Sequence, residues 1–334
     1  MINRRFVLAS RPTGLPTLDN FRIDEVQLAE LKPGQVLVQN RFISVDPGMR
    51  GRMSQTASYV ASLAIGDPLG LAAAGIVLES RDPSLAPGDW VATYLGWQTH
   101  GVVDAAAARR ISDLRLSPST SIGVLGIPGL TAYFGMLDIA KPKAGETAVV
   151  TSAAGAVGSA AAQIARISGC RVIGVAGGPE KCRWLTGELG LDDAIDYRAE
   201  KDLSAAIAAR CPGGVDIHFE NVGNAFVDAV LPHMKQFGRL VISGNTADYN
   251  VPVAEKPGIK NTSRIITHRL TIRGLVAFDY ADRFPGALTQ LTDWIVDGRL
   301  KYRENITKGF ERLPQAFIGL FKSENFGRQV VEVV

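Results

Sequence analysis

The sequence predicts an α/β fold in two parts, a mostly β first part and a second part built on a doubly wound parallel sheet. Its 334 residues are too many for one ordinary core and fit two domains of roughly 100 to 200 residues. The first hundred residues contain alternating apolar runs separated by Gly, Pro and Asp, a pattern typical of strands and turns. From Thr147 onward short apolar strands alternate with helices, which is typical of a parallel sheet covered on both faces.

Four strands are predicted in the first part. The earliest follows the turn Lys32-Pro33-Gly34 and alternates apolar and polar residues over a long run. The four segments are GQVLVQNRFISV, AAAGIVLES, GDWVATYL and THGVV. Because the pattern changes after them, the boundary between the two parts is predicted near residues 120–145.

The second part is predicted to contain six strands. They are ETAVVTS, CRVIGVA, DDAIDY, VDIHFENV, GRLVISG and LTIRGLVAF. The first helix between them is a small-residue helix from Val157 to Ser168 that ends at Gly169. The second helix begins at Pro179 and closes at Gly190, as expected for proline in a first helical turn and glycine at a helix end.

Three later helices complete the alternation. They lie around residues 205–210, in the residues up to Met234, and in ALTQLTDWIVDG, where apolar residues recur on one face. After about Tyr302 short polar and apolar alternation returns, so the tail is predicted to rejoin the first part. This succession of units is that of a doubly wound sheet.

The composition is that of a soluble globular protein. Hydrophobic residues make up 46% and charged residues 21%, and the net charge of +3 is spread along the chain, which gives no indication of nucleic acid or a membrane surface as partner. The start, MINRRFVLASRP, turns polar too early for a signal peptide, and no stretch approaches the roughly 18 apolar residues of a membrane span, so a cytoplasmic location is expected. The three cysteines, Cys170, Cys182 and Cys211, have no close spacing and are expected to be reduced thiols.

A glycine-containing turn follows the first strand of the second part, in TSAAGAVGSAAAQIA. The usual dinucleotide-binding pattern is Gly-x-Gly-x-x-Gly, and this stretch supplies Ala153, Gly155 and Gly158. Gly155 and Gly158 keep the two positions that let the backbone approach a pyrophosphate and let the helix pack on the strand. The context predicts a Rossmann-type nucleotide site, and the alternative is close helix packing without a ligand.

The end of the next strand indicates which dinucleotide fits. An NAD site places a carboxylate there, about 20 residues on, to bind the ribose hydroxyls. Here the stretch is GVAGGPEK, in which Gly177 and Gly178 leave room and Lys181 supplies a cation. Because a carboxylate repels a 2′-phosphate and a cation attracts one, the residues favour NADP (NADPH). The alternative for Lys181 is a solvated charge on a surface helix.

Several separated motifs resemble one family over almost the whole chain. They are ISVDPGMRGRM (43–53), GIPGLTAYFGMLDI (126–139), AAGAVGS (153–159), FENVG (219–223) and SENFGR (323–328). The sequence is similar to the zinc-free group of the medium-chain dehydrogenase/reductase superfamily, which includes leukotriene/prostaglandin reductases, alkenal double-bond reductases and curcumin reductases. The resemblance implies a GroES-like catalytic domain over residues 1–122 and 302–334 and an NADP-binding Rossmann domain over residues 123–301.

The resemblance also implies an activity. It is the NADPH-dependent reduction of the carbon–carbon double bond of an α,β-unsaturated ketone or aldehyde, by hydride transfer to the β-carbon and without zinc, in a homodimer. Two alternatives stay open: an NADPH-dependent quinone reductase and a protein that binds NADPH without turnover.

The resemblance assigns roles to particular residues of this chain. Tyr249 is implied as a catalytic proton donor or as a group that positions the nicotinamide ribose, with a structural role as the alternative. Thirteen residues are implied in cofactor binding: Thr131, Gly155, Ala156, Val157, Gly158, Gly177, Lys181, Tyr197, Asn221, Gly244, Tyr249, Phe278 and Asn325. Many relatives have a tyrosine where this chain has Gly48, so a bulky group is absent near the substrate side.

A metal site is not expected from the residues themselves. A catalytic zinc needs three Cys, His or carboxylate ligands, and a structural zinc commonly has four closely spaced cysteines. The three cysteines all lie beyond residue 169, and the four histidines, His100, His218, His233 and His268, share no ligand spacing. Each histidine is expected to be a surface or strand residue.

Overall fold

A computed structural model describes residues 1–55 and 59–333. The chain separates into two compact units, one of Met1–Gly123 with Glu304–Val334 and one of Val124–Arg303. Residues 56–58 and 334, which the sequence analysis assigned to the first domain, lie outside the described residues. The catalytic and nucleotide-binding roles of the two units remain predictions.

Strands and helices are numbered in chain order. The strands are β1 (Ile2–Leu8), β2 (Phe21–Gln27), β3 (Gln35–Ser44), β4 (Ala73–Ser80), β5 (Trp90–Thr93), β6 (His100–Asp104), β7 (Arg109–Arg110), β8 (Thr147–Thr151), β9 (Arg171–Ala176), β10 (Asp193–Asp196), β11 (Val215–Glu220), β12 (Met234–Ile242), β13 (Thr271–Gly274), β14 (Glu304–Lys308) and β15 (Arg328–Glu332). The helices are α1 (Met49–Arg52), α2 (Ile127–Phe134), α3 (Ala156–Ile167), α4 (Pro179–Gly187), α5 (Leu203–Arg210), α6 (Asn224–Val230), α7 (Ser263–Thr267), α8 (Phe284–Val296) and α9 (Leu313–Leu320).

The first unit is mostly β, as predicted. Its larger sheet has the order β14-β15-β3-β4-β5-β7, with β6 also paired to β3, and β1 and β2 form an antiparallel pair. Trp97 lies fully buried in its core, stacks near Phe21 and donates its indole N–H to the carbonyl of Ser44 at 3.1 Å. A buried indole N–H needs such a hydrogen-bond partner. Trp97 therefore packs against the aromatic core and also binds Ser44, the last residue of β3.

The second unit contains a six-stranded parallel sheet with the order β10-β9-β8-β11-β12-β13. This is the Rossmann order, in which the strand sequence reverses between β8 and β11. Ala148, Val149 and Val150 of β8 are fully buried, as expected for a central strand covered on both faces. The fold class predicted from the sequence is confirmed.

Some element bounds differ from the predicted ones. The helix predicted up to Met234 ends at Val230, and β12 begins at Met234. The last predicted strand of the sheet ends at Gly274, because the chain enters a 3₁₀ segment at Ala277–Arg283. Helix α9 lies in the tail where only short alternation was recognised.

Across the described residues, every helix is too short or too polar to cross a membrane.

Candidate functional site

The turn after β8 explains why alanine replaces the first glycine of the pattern. Ser152, and not Ala153, has the left-handed backbone, with φ of +49°. The N–H of Ala153 donates to the carbonyl of Val175 at 3.0 Å. A Cβ added to Gly174 would lie 3.0 Å from the Ala153 Cβ, so the glycine on β9 leaves room for the alanine methyl. The turn is therefore complete without a glycine at position 153.

Helix α3 begins directly at the two retained glycines. Gly155 is its N-cap, with no side-chain cap, and its first turn contains no acidic residue. The N–H groups of the first turn, from Ala156, Val157 and Gly158, lack acceptors within the helix and lie at the positive end of its dipole. A Cβ added to Gly158 would lie 2.2 Å from the carbonyl oxygen of Ser152, so this glycine sets the close approach of helix and turn. The arrangement suits an anion such as a pyrophosphate.

Two glycines follow β9 where an NAD site would have a carboxylate, and only Gly178 has open space beside it. Gly178 is the N-cap of α4 with φ of +97°, and a Cβ added to it would meet no atom within 4 Å. A Cβ added to Gly177 would lie 2.9 Å from both Tyr197 Cε1 and Arg198 Nε. Tyr197 and Arg198 therefore lie directly against Gly177, and a larger residue there would displace their side chains.

Asp196 is the acidic residue at the neighbouring strand end. Its Oδ1 accepts hydrogen bonds from the N–H of Gly178 at 2.8 Å and the N–H of Arg198 at 3.0 Å. This carboxylate therefore joins the end of β10 to the start of α4. Both hydrogen bonds of this Oδ1 are made with backbone N–H groups.

Two cations, Lys181 and Arg198, follow the ends of the neighbouring strands β9 and β10, and Arg198 lies against Gly177. Burial lowers the pKa of Lys181, the positive charge of Arg198 lowers it further, and Glu180 opposes both effects. The guanidinium carbon of Arg198 lies 6.0 Å from the centre of the Tyr197 ring. Two neighbouring cations repel each other less once an anion lies between them, so the pair suits a phosphate.

Arg198 was missed by the sequence analysis. It lies 17 positions after Lys181 in the chain, and the two segments are neighbours only because β10 pairs with β9, Asp196 opposite Ala176. Arg198 directly follows Tyr197, the last residue of the predicted strand DDAIDY, and this position could have indicated a residue at the ligand-binding edge of the sheet.

Asn221 lies where the strand order reverses, between β8 and β11. Its backbone N–H donates to Thr151 Oγ1 at 2.9 Å, and its Nδ2 donates to the Thr151 carbonyl at 2.7 Å. Its Oδ1 accepts the hydroxyl of Ser243 at 2.6 Å. The side chain joins the carboxyl ends of β8, β11 and β12, which is the edge where ligands bind in such sheets.

Gly244 and Tyr249 follow β12 on the same edge. A Cβ added to Gly244 would lie 3.0 Å from the carbonyl oxygen of Asn221. Tyr249 comes directly after the 3₁₀ turn Thr246–Asp248 and is half-buried. The structure thus brings Asn221, Gly244 and Tyr249 to neighbouring loops.

Three other predicted residues occupy different surroundings. Thr131, in α2, donates its hydroxyl to the Ile127 carbonyl of its own helix at 2.8 Å. Phe278 lies in the 3₁₀ segment after β13 and is 48% exposed, so the expectation that it ends a strand was wrong. Asn325 belongs to the first unit, where its Nδ2 donates to the Gly327 carbonyl at 2.9 Å.

Ligand-type side chains are dispersed in the part of the chain that the structure describes. No group of three or more His, Cys, Asp or Glu residues there could hold a metal ion. Burial raises the pKa of the Cys170 thiol to about 11 and raises the pKa values of Cys182 and Cys211 as well. All three cysteines are free thiols.

Comparison with known proteins identifies two family models along the chain. The model of the N-terminal domain of oxidoreductase matches residues 4–111, and the model described as zinc-binding dehydrogenase matches residues 156–293. The second description names zinc. The matched residues contain all three cysteines of the chain, which are too far apart in the sequence to form a zinc ligand set of the usual closely spaced kind.

The chain is similar over its whole length to named reductases. It is 42% identical over 336 residues to an NADPH-dependent curcumin reductase of Escherichia coli, covering 99% of this chain and 97% of that protein. It is 38% identical over 336 residues to an NADP(+)-dependent 2-alkenal reductase of Nicotiana tabacum, covering 99% and 97%. The crystal structure of CurA from Vibrio vulnificus in complex with NADPH matches with a TM-score of 0.93 and 38% identity, covering 99% of each chain. The chain therefore belongs to the medium-chain dehydrogenase/reductase superfamily, and within it to the zinc-free group that contains the curcumin, alkenal and prostaglandin reductases.

Proposed function

We propose that this protein is an NADPH-dependent oxidoreductase that reduces the carbon–carbon double bond of α,β-unsaturated ketones or aldehydes. The observation that carries the proposal is the carboxyl edge of the parallel sheet, where helix α3 begins without a side-chain cap, no carboxylate ends β9, and Arg198 lies against Gly177. The relatives named for curcumin and 2-alkenal reduction support the acceptor class.

The residues at this edge fit NADPH. Cβ atoms added to Gly155 and Gly158 would crowd Ser152, so these two glycines keep the start of α3 packed closely against the turn. The first-turn N–H groups of α3 would hold the pyrophosphate. Lys181, Tyr197 and Arg198 would hold the 2′-phosphate and the adenosine end.

When bound, NADPH supplies a hydride to the β-carbon of the acceptor. The chain must then stabilise negative charge on the carbonyl oxygen and allow a proton to reach the α-carbon. Tyr249 serves this step as a hydrogen-bond donor, or it orients the nicotinamide ribose. Tyr249→Phe separates the two roles: a lower kcat with unchanged affinity for NADPH indicates the donor, and weaker NADPH binding indicates the positioner.

Three acceptor classes test the activity. NADPH oxidation is followed by its absorbance with an alkenal, a benzylidene ketone and a quinone in turn. We expect oxidation with the first two. Oxidation with the quinone alone would support the quinone reductase alternative, and binding of NADPH without oxidation by any acceptor would support a non-catalytic role.

The acceptor is a small molecule, and we propose that the protein acts on it as a cytoplasmic homodimer. The three free thiols, with pKa values raised by burial, suit a reducing compartment. Strand β13 lies at an edge of its sheet and is mostly exposed, so a second copy could extend the sheet there. Light scattering tests this pairing: a solution mass of twice 35.7 kDa supports it, and 35.7 kDa contradicts it.

A further inference from the structure

A buried histidine–glutamate pair lies at the end of β11, directly before Asn221, and the proposed reaction does not use it. His218 Nε2 lies 2.8 Å from Glu220 Oε2, and both side chains are 1% exposed. Because a carboxylate oxygen is an acceptor, the imidazole carries its proton on Nε2. Among the described residues, His218 Nδ1 has no hydrogen-bond partner, so Glu220 alone holds this ring through a hydrogen bond.

The second oxygen of Glu220 holds the loop that follows the strand. Oε1 accepts the N–H groups of Val222 and Gly223, the latter at 2.7 Å. Gly223 has φ of +154°, and a Cβ added to it would lie 2.8 Å from Asn245 Oδ1. The carboxylate therefore holds the loop of residues 221–223 through two hydrogen bonds, and Asn245 packs closely against Gly223.

This loop in turn carries the segment that ends at Tyr249. Thr246 Oγ1 donates to the Asn221 carbonyl at 2.9 Å, and the Ala247 N–H donates to the Val222 carbonyl at 2.8 Å. The carbonyl groups that accept these bonds belong to the loop that Glu220 holds. The orientation of Glu220 therefore bears on Asn221 and on the start of the Tyr249 segment together.

We propose that His218 is a positioning residue for dinucleotide binding, acting through Glu220 on the loop of residues 221–223. A buried carboxylate without its full set of donors is costly, and it turns toward other donors or draws in water. The imidazole N–H saturates Oε2 and so leaves Oε1 aimed at the two backbone N–H groups. Loss of this donor releases the loop without removing any group that touches the cofactor.

The test compares His218→Leu with the conservative His218→Gln, whose amide N–H₂ can replace the Nε2 donor. Affinities for NADPH and NADH are measured by titration calorimetry on folded protein. We expect His218→Leu to weaken NADPH about 10-fold or more, and NADH equally, because the loop is remote from the 2′-phosphate. His218→Gln should recover most of the affinity.

A control separates positioning from loss of stability. Ile207→Ala opens a cavity in the core on the same sheet, where Ile207 is fully buried, and should lower the Tm without changing either affinity. Wild-type NADPH affinity in His218→Leu would overturn the inference. A loss of NADPH affinity in His218→Gln and in Ile207→Ala that equals the loss in His218→Leu would also overturn it. The inference rests on the proposed function, since it assumes NADPH binding. Failure of the wild-type protein to bind NADPH would overturn that function first and the inference with it.

Discussion

Replacing Gly158 by alanine should force helix α3 away from the turn that precedes it. The added Cβ would lie 2.2 Å from the carbonyl oxygen of Ser152 and 2.7 Å from its carbonyl carbon. Ordinary contact begins at 3.4 Å, so the helix or the turn must move by 1.2 Å, the difference between 3.4 and 2.2 Å. Both contact atoms are backbone atoms between β8 and α3, and neither can rotate aside.

The cost follows from two opposing effects. Overpacking of this size costs about 1–3 kcal/mol, and alanine gains about 0.5–1 kcal/mol over glycine inside a helix. Because the contact atoms are backbone atoms, the upper half of the overpacking range applies, about 2–3 kcal/mol, and the net loss is about 1–2.5 kcal/mol. A loss of this size lowers the Tm by roughly 2–10 °C for a domain of this size. Because the first-turn N–H groups of α3 move with the helix, NADPH affinity should fall about 10-fold or more.

Thermal unfolding and NADPH titration measure the two effects. Gly187→Ala is the matched control, since Gly187 lies at the end of α4 and an added Cβ would meet no atom within 4 Å. We expect its Tm and its NADPH affinity to equal those of the wild type or to rise slightly. A Gly158→Ala protein with wild-type Tm and wild-type affinity would refute the steric reasoning.

Three further predictions concern charge. Lys181→Ala and Arg198→Ala should each weaken NADPH about 10-fold while leaving NADH nearly unchanged in calorimetry, and equal losses for both cofactors would exclude a role in binding the 2′-phosphate. Burial has the largest single effect on the pKa of Glu146 and raises it, but hydrogen bonds from Arg239 and from the Lys143 N–H, together with the positive charges of both residues, outweigh burial and hold the pKa below its usual value. A lowered carboxyl pKa stabilises the fold above the unfolded pKa of about 4.3, and this contribution is lost as pH falls through the folded value. In urea unfolding, the free energy of unfolding of the wild type should therefore exceed that of Glu146→Gln by about 2 kcal/mol at pH 7, and the difference should shrink below about pH 4. A difference in the free energy of unfolding that does not change with pH would contradict this. The Cys170 thiol, with its pKa raised to about 11, should react with iodoacetamide at pH 8 only after unfolding; rapid labelling of the native protein would be inconsistent with its burial.

Most strands of the parallel sheet could be predicted because they are short apolar runs with a glycine on at least one side. The end of β13 could not, since LVAF continues the same apolar pattern beyond Gly274. The Leu275 N–H still donates to the carbonyl of Ile242, the last residue of the neighbouring strand β12, and beyond it the chain has no strand to follow. Strand length at a sheet edge depends on the partner as well as on the local pattern.

The glycine turn could be predicted from Gly155 and Gly158, because their spacing is the one that dinucleotide-binding turns require for backbone approach and helix–strand packing. That Ser152 takes the left-handed backbone could not, because serine rarely does so and its neighbours hold it there. The proximity of Arg198 and Lys181 was also hidden, since it depends on the register of β10 against β9. Pairwise contacts between distant segments are the information that a single sequence lacks.

The fate of the hydride tests the central proposal most directly. NADPH carrying deuterium at both C4 positions is mixed with the protein and 4-phenyl-3-buten-2-one, and the product is analysed by NMR and mass spectrometry. We expect 4-phenylbutan-2-one with one deuterium on the carbon that was β to the carbonyl. Deuterium on the carbinol carbon of an allylic alcohol, or a saturated ketone without deuterium at the β-carbon, would contradict hydride transfer to the carbon–carbon double bond.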